Sequence, residues 1–223
     1  MISTSTTHIR SRFRDHRLLQ ALVVWYAAVW VATSIAPLDR HDWFLENLLV
    51  LAVVALLIGT YRMFPLSDVS YLLITAFLTL HAIGAHYTYS DVPFGFWIQR
   101  TFGLARNPFD RIVHFSFGLL MAYPIREVFL RVANARGFWA YYLPLDVTLA
   151  FSAVYEIMEM VIATMVAPGT GDAWLGTQGD VWDPQKDMAM AGLGALLCMC
   201  LTALVRRART PRPVLLAGSG RGA

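Results

Sequence analysis

A chain of 223 residues that is 57% apolar and only 15% charged, with a mean hydropathy of +0.52, is not a soluble globular domain. Its formal charge of +3 is too small to define a partner. Cys198 and Cys200 lie two apart on one predicted helix and point to nearly opposite faces, so they form neither a disulfide nor a two-thiolate metal clip.

Residues 1–17 form a Ser/Thr- and Arg-rich tail. Six apolar runs follow, at 18–37, 44–62, 69–86, 112–130, 143–166 and 188–205. Each approaches the roughly 20 residues that a helix needs to cross about 30 Å of hydrocarbon. Inside a bilayer the backbone must satisfy its own hydrogen bonds, so the runs are helices. The expected fold is all-α: a polytopic six-helix transmembrane domain over 18–205, with basic tails at 1–17 and 206–223. The first run is too long for the apolar core of a cleavable leader.

Orientation follows from the basic residues. Placing both termini in the cytoplasm puts 13 of the 18 Lys and Arg on that side and leaves Arg40, Arg100, Arg106, Arg111 and Lys186 outside. The tails then face anionic lipid headgroups rather than nucleic acid.

In chain order, helix one carries Trp25, Tyr26 and Trp30 and no acid, which reads as outer packing. Residues 37–43 read as a short turn whose Asp39, Arg40, His41 and Asp42 are solvated, and helix two is apolar apart from Glu46 and Asn47. Helix three ends in His81 and His86. The segment 87–110 is long for a connection and carries Phe94, Phe96, Trp97 and Phe102, as expected of one resting on the membrane interface. Helix four opens with Asp110 and His114 on one face at i, i+4. Helix five starts near Pro144 and places Glu159 about 10 Å and Glu156 about 15 Å below its outer end. A carboxylate there costs several kcal/mol unless it is protonated, paired, hydrated or metal-bound. Helix six opens with Asp183-Pro184, a capping residue followed by a proline suited to the first turn, and Asp180, Trp182 and Asp187 flank that start.

These polar residues all fall toward one membrane face, whereas Glu127 and Asp146 near the other read as ordinary partners of Arg126 and Arg131. Imidazole and carboxylate without thiolate suit Zn, Mn, Fe or Mg, and equally suit acid–base catalysis or a proton relay. The metal-ligand candidates are His81, His114, Glu156 and Glu159, with Asp187 as a ligand or orienting group. Glu156, Glu159 and Asp187 are the catalytic candidates, and Asp180, Asp183, His86 and Trp182 are the candidates for meeting a substrate. The bland alternatives are that Asp110 and Asp183 only cap helices, and that the glutamates pair structurally with His81 or His114.

The motifs His81-x-x-Gly84-x-His86-Tyr-Thr-Tyr-x-x-Val-Pro, Asp110-Arg-x-Val-His114-Phe and Gly-Thr-Gln-Gly-Asp180-x-Trp-Asp183-x-Gln-Lys-Asp187-Met resemble the YjdF-type bacterial inner-membrane proteins across about residues 15–205. That resemblance implies an inner-membrane location and names no reaction. A weaker likeness is to VanZ-like proteins, associated with teicoplanin resistance, whose pattern Asp110, His114, Glu156, Asp187 and Gly194 match. Arg111 replaces Lys, Glu159 replaces Gln, Asp180 stands where Arg is expected, and Ala191 replaces Asn, which makes this site more acidic.

Three functions fit. One is an enzyme or ligand-binding protein, with or without a divalent metal, whose outward cavity acts on a lipid-linked or envelope substrate. The second is a small proton- or cation-coupled transporter, although no internal repeat is visible. The third is an accessory protein in which polar residues only join helices. The chain has no Gly-x-Ser-x-Gly elbow, no phosphate-cradling Gly-Lys loop and no His-Glu-x-x-His, which argues against a serine hydrolase, an ATPase and a zincin.

Overall fold

The computed structural model describes residues 13–165 and 177–209. The outermost tail arginines and the glycines at 169, 171 and 176 lie outside these described residues.

Among the described residues the chain forms a short 3-10 turn (Phe13–Asp15) and seven α-helices: α1 (Arg17–Ser34), α2 (Arg40–Thr60), α3 (Asp68–His86), α4 (Pro93–Phe102), α5 (Phe109–Val132), α6 (Trp139–Met165) and α7 (Asp183–Arg209). All but α4 are long and apolar enough to cross a membrane. The bundle is ringed by exposed Leu, Ile, Val, Phe and Met side chains, the surface that a bilayer rather than water would cover.

The centre is the pair α5 and α7, held close by small residues. A side chain on Gly118 would run into the Ala191 carbonyl, and one on Gly194 into the Phe115 carbonyl. α3 and α6 flank this pair, while α1 and α2 pack on α3. Helix one behaves as outer packing, with its indoles tied inward: Trp30 donates to Asn47 at 2.6 Å and Trp25 to Thr79 at 3.2 Å.

Three boundaries differ from the sequence reading. α2 begins at Arg40 because Asp39 caps it, accepting from the His41 and Asp42 amides at 2.7 and 3.0 Å. That extra turn carries Asp42 into the bundle, where it is buried rather than solvated. α6 starts five residues before Pro144; a proline this near a helix start removes only one backbone bond, and the helix continues through it. The 87–110 connection contains α4, opened by Pro93 and closed by Gly103 at φ 63°, a start-and-stop signal present in the sequence. Its Phe94, Trp97 and Phe102 are exposed, and Phe94 stacks on Trp97.

Candidate functional site

α1, α3 and α6 end, and α2, α5 and α7 begin, at one end of the bundle, opposite to the chain's first and last helix ends. Helix direction alone therefore gathers Glu46, His81, Asp110, His114, Glu156, Glu159, Asp183 and Asp187 at that end.

His114 is the hub. Its Nε2 lies 3.5 Å from a Glu156 oxygen and 3.6 Å from an Asp110 oxygen. Ligand atoms of Asp110, His114 and Asp187 all fall within 4.8 Å of one another, spacing suited to one metal ion. Glu156 and Glu159 stand one turn apart on α6, as Asp183 and Asp187 do on α7. Carboxyl groups so placed repel one another unless they share a proton or a cation. Glu156 Oε1, the oxygen that faces His114 Nε2, and Asp187 Oδ1 are buried and complete no hydrogen bond among the described residues.

Asp110 is not the cap of α5. The helix starts one residue earlier, and the Asn107 side chain meets the Phe109 amide at 3.0 Å, which frees Asp110 to face inward. Asp183 is also no surface residue: it is 2% exposed, beneath Arg106 and Arg111, both of which donate to it. The Gln178 side chain clamps the Asn107 backbone from both sides, at 3.0 and 3.1 Å. The loop before α7 is thus fixed onto the start of α5.

His81 belongs to a neighbouring group and not to the His114 cluster, so the expected set of four ligands divides in two. Tyr89 donates to His81 Nδ1 at 2.5 Å, which leaves the ring proton on Nε2, facing the Glu46 carbonyl at 3.3 Å and its carboxylate at 3.9 Å. Tyr155 donates to the same carboxylate at 2.8 Å, and its ring lies edge-on to His114, centroids 6.0 Å apart. The His-x-x-Gly motif has a physical reason here. Any side chain at Gly84 would collide with the Tyr89 ring, and Thr88 and Tyr89 adopt φ 53° to turn that ring back over the helix. Burial pushes the Tyr89 hydroxyl well above its ordinary pKa, so it remains a donor.

His86 points elsewhere, to the Thr33 carbonyl at 2.8 Å. Asp180 accepts from Arg111 at 2.5 Å, from Lys186 at 2.6 Å and from the Trp182 amide at 3.2 Å, whereas the Trp182 side chain is exposed. The Lys186 hydrogen bond above all, with the Trp182 amide and Arg111, holds the Asp180 carboxyl down to about 2. A cavity of about 430 Å³ opens beside these groups, lined by Arg106, Arg111, Lys186, Asp180, Gln178 and Leu104.

Sequence reasoning missed Glu46, Tyr89, Arg106 and Tyr155. Glu46, an acid three residues into an apolar run, was the one legible signal among them.

Residues 18–208 match the family described as "Predicted membrane protein (DUF2238)". The chain is 39% identical over 180 residues to the inner membrane protein YjdF of Escherichia coli strain K12, covering 80% of this chain and 86% of that protein. No solved structure matches it. The chain belongs to this family and is an integral inner-membrane protein.

Proposed function

We propose that this protein is a membrane enzyme or ligand-binding protein that uses a divalent cation held by Asp110, His114 and Asp187 to act on a lipid-linked or envelope substrate. The observation that carries the reading is the excess of carboxylates over cations. Asp110, Glu156 and Asp187 lie around His114, Glu156 Oε1 and Asp187 Oδ1 accept no hydrogen bond among the described residues, and the nearby Arg106 and Arg111 donate to Asp183 and Asp180. An uncompensated buried carboxylate is costly, and a cation is the simplest partner that offsets several at once. An imidazole with carboxylates is the ligand set of Zn, Mn or Fe, with Mg possible where water completes the shell.

Glu156 and Glu159 stand beside this set and are placed to take or return a proton. The cavity rimmed by Arg106, Arg111 and Lys186 suits an anionic group entering from the interface. With both termini cytoplasmic, as the basic residues indicate, it opens outward.

Elemental analysis of the purified protein tests the reading. About one equivalent of metal is expected in the parent, with loss of that metal in His114→Ala, and binding should weaken in acid because the imidazole must be neutral to ligate. Protein without metal, whose melting temperature ignores both chelator and added Zn, Mn or Mg, would overturn it.

A second reading, proton-coupled transport, has its own observation: the polar chain Tyr89–His81–Glu46–Tyr155, which ends against His114. A Glu46→Gln variant with unchanged proton flux in reconstituted vesicles would remove it.

A further inference from the structure

At the opposite end of the bundle Arg126, on α5, is 4% exposed and has no carboxylate partner among the described residues. The neighbouring Glu127 is committed elsewhere, to Ser67, Ser70 and Arg131. Around the Arg126 guanidinium lie Tyr141, whose ring centroid is 4.7 Å from Cζ, together with Tyr123, Cys198 and a second cation, Arg206. A cation–π contact offsets only part of the cost of burying a charge. Arg206 adds repulsion.

The unpartnered nitrogens are Nε and Nη2. These two N–H groups point the same way along one edge of the guanidinium, the fork that binds two oxygens of a phosphate or carboxylate side by side. The site lies about six residues, or roughly 9 Å, before the end of α5, toward the headgroup layer at this end. Arg206, Arg207 and Arg209 are exposed on the last turns of α7 at this same end.

We propose that Arg126 binds a phosphate group through this unpartnered edge, and that the phosphate is the headgroup of an anionic membrane lipid drawn in where α5, α6 and α7 meet. Tyr141 orients the guanidinium from its face, and Arg206 adds charge from the rim. The site is independent of the His114 cluster and would stand if that cluster bound no metal.

Native mass spectrometry and thermal unfolding of the full chain in neutral detergent test this, with phosphatidylglycerol, phosphatidylcholine and inorganic phosphate as probes. Phosphatidylglycerol is expected to raise the parent's melting temperature by several degrees, with one lipid retained, and phosphatidylcholine to do much less. Arg126→Lys, which keeps the charge but loses the fork, should weaken the phosphatidylglycerol effect about tenfold, and Arg126→Gln should abolish it. Arg207→Gln with Arg209→Gln should leave most of it. Equal phosphatidylglycerol binding by Arg126→Lys and the parent overturns the proposal, and decides the matter even where Arg126→Gln does not fold. Saturation by inorganic phosphate, with no added effect of lipid, supports the phosphate site and overturns its assignment to a headgroup.

Discussion

Two carboxylates on α5, Glu127 and Asp110, stand in opposite circumstances at the two ends of one helix. Glu127 receives the Ser67 amide at 2.9 Å, the Ser67 and Ser70 hydroxyls at 2.8 and 2.5 Å and Arg131 at 2.8 Å. Its donors saturate both oxygens, and Arg131 is held in turn by the Pro65 carbonyl and the Phe64 ring. Asp110 sits among Glu156, Asp183, Asp187 and a single imidazole, with Arg106 only at 4.0 Å. The first is a finished structural joint between the α2–α3 turn and α5. The second is a group of acceptors short of donors, an arrangement retained where something else completes it. Asp146, expected to pair at the Glu127 end, is exposed and forms no ion pair among the described residues, and Arg126 turns inward instead.

The sharpest way to break this comparison is to remove one carboxylate at each end. Glu127→Ala should destabilise the protein by about 1–2 kcal/mol, since it strips the hydrogen bonds of buried Ser70, half-buried Ser67 and the more exposed Arg131. Glu156→Gln in metal-free protein should be near neutral or slightly stabilising, because it lowers the local negative charge. Chemical unfolding in detergent checks both, and equal losses would erase the distinction between the ends.

A comparable effect separates the Glu46 branch from the His114 cluster. Tyr155→Phe should cost about 1–2 kcal/mol through the lost bond to Glu46, while leaving metal content unchanged. Metal loss in that variant would join the two groups into one site.

The smallest effect concerns the loop ahead of α7. The Asp180 carboxyl is depressed when folded, so its contribution is full above the ordinary carboxylate pKa of about 4 and fades only as pH falls toward about 2. Asp180→Asn should therefore lower stability by a constant amount from about pH 5 to 8 and by progressively less below about pH 4, so that the two stability curves converge toward about pH 2. A loss that persisted undiminished down to about pH 2 would contradict the assignment of Asp180 as an anchor for Arg111 and Lys186.

The depth of the site was legible in the sequence. Glu156 and Glu159 inside an apolar run, and Asp110 one turn from His114, announced a polar layer at one end, because helical rise converts residue number into height. The motif glycine was visible as well, but its purpose was not, since the Tyr89 ring over Gly84 depends on two residues at positive φ. Gly194 serves the α5–α7 contact.

The sequence by itself determined six membrane-crossing helices and which of their ends is acidic, because bilayer thickness and backbone hydrogen bonding leave little other choice. Partnership was decided only by the tertiary structure. Height along a helix says nothing about its rotation or its neighbours, so Glu46 could not be joined to Tyr155, 109 residues away, nor His81 parted from His114. The packing of α3 and α6 around the close α5–α7 pair made those choices, and with them divided one expected cluster into the hydrogen-bonded group of Tyr89, His81, Glu46 and Tyr155 and the acidic cluster around His114.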